Sequence, residues 1–306
     1  MMPQGISAPF LQINQPHLLR KEIKMEKLTS NVYTETKIRG CNPSIVFTKE
    51  GSVFIDNAQW LTSLLEMIEF AEQKGSIKYM INTEPHIDHI FGNHWFAGKC
   101  PVIGHEAMIK DFFLVPGEMD GYDYSVDVLT RQDPKGLALM PSRENYIINK
   151  PQITFTKDLS LKVGDHTFKL YHTPGHSDSQ IAVHVPEERT VFVGDTVFSD
   201  CQIWLHSANI DELINSLKFI YTLDVDHIIP GHGPVVKKSY IMNQLSFIYE
   251  WITTVADGIE KGWTQEECIA RISFADRFPV DIGQDEMMEY IQRTNIIKCY
   301  NYLTQG

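Results

Sequence analysis

Cysteine is scarce in this 306-residue chain and has no spacing typical of a metal ribbon or a disulfide framework. The five cysteines are spread over the whole chain and form no CxxC pair: Cys41, Cys100, Cys201, Cys268 and Cys299. An odd number of scattered cysteines argues against a small disulfide-stabilised fold. We therefore expect reduced thiols and a cytoplasmic protein.

Long hydrophobic runs and an excess of positive charge are also absent. No apolar run approaches the roughly 18 residues that a membrane helix needs, and the start of the chain lacks the basic-then-apolar order of a secretory signal. The 27 basic and 39 acidic residues give a net charge of −12, a sign that repels phosphate backbones. We expect neither a membrane nor a nucleic-acid partner, which leaves a small-molecule substrate.

The sequence does contain enough apolar residues for a folded core. Its 43% hydrophobic and 22% charged residues are ordinary for a globular protein and exclude a fibrous or disordered chain. The length is about twice that of a usual domain, so one large α/β domain or two small ones both remain open.

Two halves of the chain have a similar order of strands and helices. In the first half, a hairpin over 43–56 precedes a helix from Trp60 and a strand over 78–82. In the second half the predicted elements are strands over 159–163, 167–172, 180–185 and 190–194, a helix after Asn209 and a strand over 226–230. Strands in both halves end in polar residues, so we expect an α/β fold with a site at the strand ends.

Three other segments have different patterns. Residues 1–26 show no period of 2 or 3.6 and are interpreted as an N-terminal arm. Residues 106–150 contain several glycines and prolines with weak periodicity, which favours an insertion or lid over a site. Residues 236–306 are predicted to be helical, with a capping box at Thr264 and Glu267.

The candidate chemistry lies in loops that contain histidines beside Gly, Pro or Asp. These histidines are His86, His89, His176 and His232, and the carboxylates that accompany them are Glu84, Asp88 and Asp195. Imidazoles and carboxylates on loops held by strands are typical of catalytic divalent-metal sites. Taken singly, a histidine in a Pro-Gly turn is more commonly a solvated turn residue. The combination in one order favours a metal site.

Together these motifs resemble the pattern of the metallo-β-lactamase superfamily, which is HxHxDH, a loop histidine, a bridging aspartate and a C-terminal histidine. The matching stretches are Glu84-Pro-His-Ile-Asp-His89, Thr173-Pro-Gly-His176, Gly194-Asp195-Thr196 and Pro230-Gly-His232. The resemblance implies an αββα sandwich over 27–235, followed by a C-terminal helical extension. It also implies that Asp56 supports the first loop without binding metal.

The same resemblance implies two divalent metal ions, of which zinc is expected first. The first ion would be held by Glu84, His86 and His176, and the second by Asp88, His89 and His232, with Asp195 bridging. Glu84 departs from the family pattern, which has histidine there. The additional negative charge should make Mn or Fe more acceptable. Whether Glu84 binds metal or points away stays open.

The implied activity is hydrolysis of a small ester, lactone, amide or thioester by a metal-bound hydroxide, with Asp88 handling the proton. Asp195 stands where zinc β-lactamases carry Cys or Ser, so the pattern looks closer to glyoxalase II, lactonase, phosphodiesterase and alkylsulfatase relatives. The C-terminal segment has fewer basic than acidic residues, which weakens a glutathione-thioester substrate. Aromatic residues such as Phe112, Phe113 and Tyr124 could form an apolar lid or pack on the sandwich.

Two other functions remain as alternatives. Flavodiiron proteins also have a carboxylate in the first ligand loop, but their glutamate replaces the second histidine, and we do not expect residues 236–306 to form a flavodoxin domain. A binding or sensor module that keeps the fold without turnover is the third hypothesis. The oligomeric state stays open, with a homo-oligomer as one alternative.

Overall fold

Two β-sheets pack face to face in the computed structural model, which describes residues 25–113 and 120–305. The first sheet has seven strands in sequential order, with β1–β4 antiparallel and β4–β7 parallel. Its strands are β1 (Glu26–Lys27), β2 (Val32–Thr34), β3 (Ser44–Thr48), β4 (Gly51–Ile55), β5 (Ile77–Ile81), β6 (Val102–His105) and β7 (Ile153–Phe155). The predicted hairpin over 43–56 is therefore confirmed. All of the predicted N-terminal arm except its last two residues lies outside the described residues.

The second sheet has five strands in the order β12-β11-β10-β9-β8. They are β8 (Asp158–Val163), β9 (His166–His172), β10 (Ile181–Val185), β11 (Thr190–Phe192) and β12 (His227–Ile229). The β11–β12 pair is parallel and the other pairs are antiparallel. These strands match the predicted second half to within a few residues.

The helices lie on the outer faces of the two sheets and at the end of the chain. They are α1 (Leu61–Glu72), α2 (Ile87–Ile90), α3 (Met108–Asp111), α4 (Gly121–Gln132), α5 (Pro134–Leu137), α6 (Ile210–Thr222), α7 (Tyr240–Glu260), α8 (Gln265–Arg271) and α9 (Met288–Gln305). The capping box predicted at Thr264 and Glu267 opens α8. No helix in the described part of the chain is long and apolar enough to cross a bilayer.

Three apolar clusters define four layers. The cluster between the sheets contains Val53, Ile55, Ile81, Phe168, Leu170, Val183, Phe192 and Ile229. A second cluster joins α1 to the outer face of the first sheet, and a third joins α6 and α7 to the outer face of the second. The last three residues of β4 are apolar because both faces of the strand are buried there: Phe54 faces α1, and Val53 and Ile55 face the other sheet. The expected αββα sandwich is confirmed.

The segment over 106–150 contributes to the core as well as to the surface. Phe112, Phe113 and Leu129 are buried in the cluster under α1, so the aromatic residues of this segment do pack on the sandwich. Leu129 belongs to α4, whose Tyr124 packs against the same cluster and also lines a cavity described below. Leu114 and Met119, two further apolar residues expected in this lid or patch, lie outside the described residues.

The C-terminal segment departs from the expected continuous helical pattern. Residues 272–287 form no α-helix and contain only one short 3-10 turn, between α8 and α9. Pro279 cannot donate a helical hydrogen bond, and Gly283 has a positive φ of 72°, so this stretch cannot continue a helix. The stretch instead packs beside the ligand loops.

Asp133 ties α4 and α5 to α1. The N-cap of α1, Trp60, has no side-chain hydrogen bond. The carboxylate of Asp133 accepts from the Thr62 N–H at 2.9 Å, the Thr62 hydroxyl at 3.0 Å and the Gly136 N–H at 3.1 Å. One buried side chain therefore satisfies the first turns of two helices.

We predict that Asp133→Ala lowers the free energy of unfolding by about 1–2 kcal/mol, because helix donors lose their acceptor. Asp111→Ala is the control, since Asp111 is exposed and its one ion pair among the described residues is with its neighbour Lys110. It should change stability by less than about 0.5 kcal/mol. Urea denaturation of both variants measures the difference. Equal stability of the two variants would contradict the capping role.

Candidate metal centre

The candidate ligands meet at one edge of the two sheets because they follow the ends of neighbouring strands. Glu84 follows β5, His176 follows β9, and Asp195 and His232 follow β11 and β12. The other candidate ligands come from the short helix α2, whose isoleucines are buried in the core. All seven predicted ligand residues are brought together.

The first group consists of Glu84, His86, His176 and Asp195, with one ligand atom from each residue within 4.8 Å of the others. His86 Nδ1 lies 2.5 Å from Glu84 Oε2. His176 Nε2 lies 3.3 Å from His86 Nδ1 and 3.4 Å from Asp195 Oδ2. The Glu84 side chain is fully buried and points into this group, and its Oε1 accepts a hydrogen bond from the Asp195 N–H.

The second group consists of Asp88, His89 and His232. His232 Nε2 lies 3.4 Å from Asp88 Oδ2. His89 and Asp88 are adjacent in α2, whereas His232 comes from the other sheet. The two halves of the sandwich therefore each supply part of this group.

Asp195 lies between the two groups and presents one oxygen to each. Its Oδ1 is 3.2 Å from His89 Nε2 and 3.3 Å from His232 Nε2, while its Oδ2 faces His176. Gly231 makes room for this position, since a Cβ there would lie 1.9 Å from Asp195 Oδ1. This is the arrangement that a carboxylate needs if it is to bridge two ions.

Three buried polar atoms of the cluster, Glu84 Oε2, His89 Nε2 and Asp195 Oδ1, have no hydrogen-bond partner among the described residues. His89 Nε2 and Asp195 Oδ1 are buried, and no described residue provides either of them with a hydrogen bond, although the two atoms are close. Buried polar atoms without partners are rare in folded proteins. A metal ion would satisfy both atoms, and imidazoles with carboxylates are ligands that divalent transition metals accept. The residues present therefore fit a metal site.

Several of the histidines are oriented by hydrogen bonds at their other ring nitrogen. Asp56 Oδ2 lies 2.9 Å from His89 Nδ1, which leaves Nε2 of that ring directed at the cluster. Asp56 also accepts hydrogen bonds from the N–H and hydroxyl of Thr83. Asp56 thus has the supporting position expected for it, although it and His89 also lie near buried Cys41.

His232 is oriented by a residue that the sequence analysis missed. Asp281 Oδ2 lies 2.9 Å from His232 Nδ1, and both side chains are buried. Asp281 is 49 positions away and belongs to the irregular stretch before α9. No local pattern marks this contact, because it depends on how the C-terminal segment packs.

The electrostatics of the metal-free cluster couple carboxylates to imidazoles. Burial disfavours the charged ring of His86, but Glu84 and Asp195 outweigh this effect and raise the pKa of His86 to about 9. Burial acts in the same way on His232, and Asp195 with Asp281 raise the pKa of His232 well above its usual value. Metal binding must displace these protons, so it should release protons to solvent.

A cavity of about 570 Å³ opens above the two groups. The cluster side chains that reach it are His86, Asp88, His176, Asp195 and His232. Trp204, Met287 and Tyr290 form an apolar wall, and Arg39, Gln59 and Tyr124 also line the cavity. Of these six wall residues the sequence analysis named Tyr124, as part of a possible apolar lid, and no motif marks the other five.

We predict that Asp281→Asn weakens metal binding at the second group by about 10–100-fold, because the carboxylate that orients His232 is lost. Chelator competition measures the affinity. Asp285→Asn changes an exposed aspartate in the same stretch and should leave the affinity as in the wild type. Equal affinities for all three proteins would show that Asp281 has no such role.

Comparison with known proteins agrees with this arrangement. The family model for the metallo-beta-lactamase superfamily matches residues 39–232. The beta-lactamase-like protein 2 homolog of Caenorhabditis elegans is 28% identical over 225 residues, which is 70% of this chain and 65% of that protein. The chain thus matches slightly less than two thirds of that relative's length.

Two further relatives add to the comparison. The hydroxyacylglutathione hydrolase of Francisella tularensis subsp. novicida is 35% identical over 100 residues, which is 30% of this chain and 39% of that protein. The structure of the stereoselective inverting sec-alkylsulfatase Pisa1 from Pseudomonas sp. superposes with a TM-score of 0.65 and 14% identity, over 92% of this chain and 50% of that one. The superposition on the alkylsulfatase shows the fold. The family model matches more than half of this chain, and the chain therefore belongs to the metallo-beta-lactamase superfamily.

Proposed function

We propose that this protein is a dinuclear metal-dependent hydrolase of a small ester, thioester, lactone or amide. The observation that carries the proposal is the position of Asp195, which directs one carboxylate oxygen to each of two ligand groups at the floor of a cavity. The similarity to a hydroxyacylglutathione hydrolase supports the same reaction class.

The first group, including Glu84, would hold one ion and the second group the other. Bound divalent ions would supply Lewis acidity that polarises the substrate and makes water more acidic. Zinc accepts imidazole and carboxylate ligands and is our first choice. Because Glu84 adds an oxygen ligand with a negative charge, Mn or Fe are the other ions that suit this set.

Asp88 is the residue we propose for proton transfer. Its side chain is 19% exposed and lines the cavity, whereas the carboxylates of Glu84 and Asp195 are almost fully enclosed. An oxygen of Asp88 can therefore hold a proton on the side from which substrate enters. Asp88 Oδ2 lies 3.4 Å from His232 Nε2, so this oxygen faces the cluster.

The cavity supports a small substrate with an apolar part. A volume of about 570 Å³ is in the range of small-molecule sites. Trp204 and Tyr290 offer aromatic surface on one wall. Tyr124 comes from α4, so the segment over 106–150 would influence substrate choice, as expected for an insertion near the site. Because all five cysteines are unpaired, we infer a reducing, cytoplasmic location.

We predict that metal-loaded protein hydrolyses at least one member of a panel of aryl esters, acyl thioesters and lactones. Asp195→Asn should lower kcat/KM by at least about 100-fold, since both groups share this carboxylate. Asp200→Asn is the control, because Asp200 is exposed. If the chain holds two ions and hydrolyses no substrate of the panel, it is a binding module and the proposal is wrong.

We predict that Glu84→Ala lowers the metal content from about two ions per chain to about one, because only the first group loses a ligand. Glu84→His should keep both ions and shift selectivity from Mn toward Zn, since a neutral nitrogen replaces a charged oxygen. Elemental analysis after equilibration with both metals measures these changes. Glu188→Ala is the control: Glu188 is also buried but binds His166 at the β10–β11 turn. Wild-type content and selectivity in both Glu84 variants would mean that Glu84 is not a ligand.

A further inference from the structure

Arg39 is a buried cation in the cavity wall. Its side chain is only 4% exposed. Its Nε donates to Gln59 Oε1 at 3.2 Å, and its terminal nitrogens donate to the Gly283 carbonyl at 2.6 Å and the Tyr124 hydroxyl at 3.0 Å. All three acceptors are neutral, and Arg39 forms no ion pair with any carboxylate of residues 25–113 and 120–305. Two of its five N–H donors have no acceptor in this set.

Gln59 places a second unused donor beside this guanidinium. The Nε–H of Arg39 can only donate, so the amide oxygen of Gln59 must face it and the amide nitrogen must point away. That nitrogen is buried and has no hydrogen-bond partner in the described chain. Both side chains line the cavity. Two neighbouring side chains in the cavity wall therefore each have N–H donors without an acceptor among the described residues.

These donors lie next to the candidate metal centre. Gly40 has a φ of +88°, and a Cβ there would lie 3.1 Å from the Cβ atoms of both Asp88 and Gln59. Only glycine allows the backbone after Arg39 to approach the ligand loop so closely. The backbone N–H of Asn42 donates a hydrogen bond to the Gly231 carbonyl at 2.8 Å, directly before His232. The loop that carries Arg39 is thus fixed between both ligand loops.

Arg131 shows the contrasting situation in the same cavity. Its side chain is half exposed, and it forms ion pairs with Asp127 at 2.7 Å and Glu286 at 3.3 Å. A buried guanidinium without a carboxylate is unfavourable, because its desolvation is not balanced by an opposite charge. Arg39 has no carboxylate within ion-pair distance among the described residues, although Glu286 in the same cavity interacts with its charge at longer range. An anion in direct contact would therefore balance the guanidinium further.

We propose that Arg39 and Gln59 form a subsite for a carboxylate on the substrate. This proposal rests on the proposed function, and it narrows the substrate class to esters, thioesters, lactones or amides that carry a free carboxylate away from the bond that is cleaved. A planar guanidinium matches a carboxylate through paired hydrogen bonds. One cation beside a neutral amide balances a single negative charge better than a dianionic phosphate, since Asp88 and Glu286 also line the cavity.

Binding of dicarboxylates to the zinc-loaded protein tests the subsite without turnover. The probes are succinate, glutarate, adipate and pimelate, each compared by calorimetry with the monocarboxylate of the same carbon number. One carboxylate can bind at the metal centre while the other reaches Arg39. In the wild type we expect at least one dicarboxylate to bind tighter, by at least about tenfold, than the monocarboxylate of the same carbon number.

Three variants separate the subsite from a merely structural role of Arg39. Arg39→Gln removes the charge and should abolish the preference for dicarboxylates. Gln59→Glu keeps the other two hydrogen bonds of Arg39 but provides an internal carboxylate, and it should also abolish the preference. Arg131→Gln also removes one positive charge from the cavity, but this variant should retain the preference for dicarboxylates.

The result that would overturn the subsite is a dicarboxylate preference below about twofold in the wild type, or one that persists in both Arg39→Gln and Gln59→Glu. Loss of the preference in Arg131→Gln would also overturn it, because net charge alone would then explain the binding. A protein that binds dicarboxylates through Arg39 but hydrolyses nothing contradicts only the proposed function. A protein that hydrolyses neutral esters without any dicarboxylate preference contradicts only the subsite.

Discussion

Burial of like charges at one sheet edge is the constraint on which the rest of the structure depends. The carboxylates of Glu84, Asp88 and Asp195 would repel one another in an enclosed site. Despite burial, negative charge around the rings of His86 and His232 raises their pKa values, whereas burial lowers the pKa of His176. Such a cluster keeps its shape only when rigid elements hold each group. Strand ends, the buried isoleucines of α2 and the carboxylates behind the rings of His89 and His232 all serve this purpose.

Hydrogen bonds between the two halves bring these groups into register. The Ile181 N–H donates to the Thr83 carbonyl at 2.9 Å, directly before Glu84. The Asn42 side chain donates to the carbonyls of Pro230 and Gly233, on either side of His232. Because each half supplies only part of both ligand groups, the centre exists only when the two sheets are packed together.

The strands, the main helices and the ligand cluster were predictable because their signals are local or follow a family order. Glu84, His86, Asp88 and His89 lie within six consecutive residues, and apolar runs such as Val53-Phe-Ile55 indicate strands with two buried faces. The partners of these residues were not predictable. Arg39, Gln59 and Asp281 acquire their roles through contacts between segments distant in sequence, and the helical prediction after residue 235 did not register how Pro279 and Gly283 interrupt it.

The contact between Asp281 and His232 has a consequence for biosynthesis. A ribosome releases the chain from the N-terminal end, so both sheets and every candidate ligand emerge before residue 281 does. During that interval His232 lacks the carboxylate that fixes its ring, and Arg39 lacks its contact with the Gly283 carbonyl. A sandwich that formed before the C-terminal segment docked would therefore lack both contacts, and we expect it to bind metal less tightly than the complete fold.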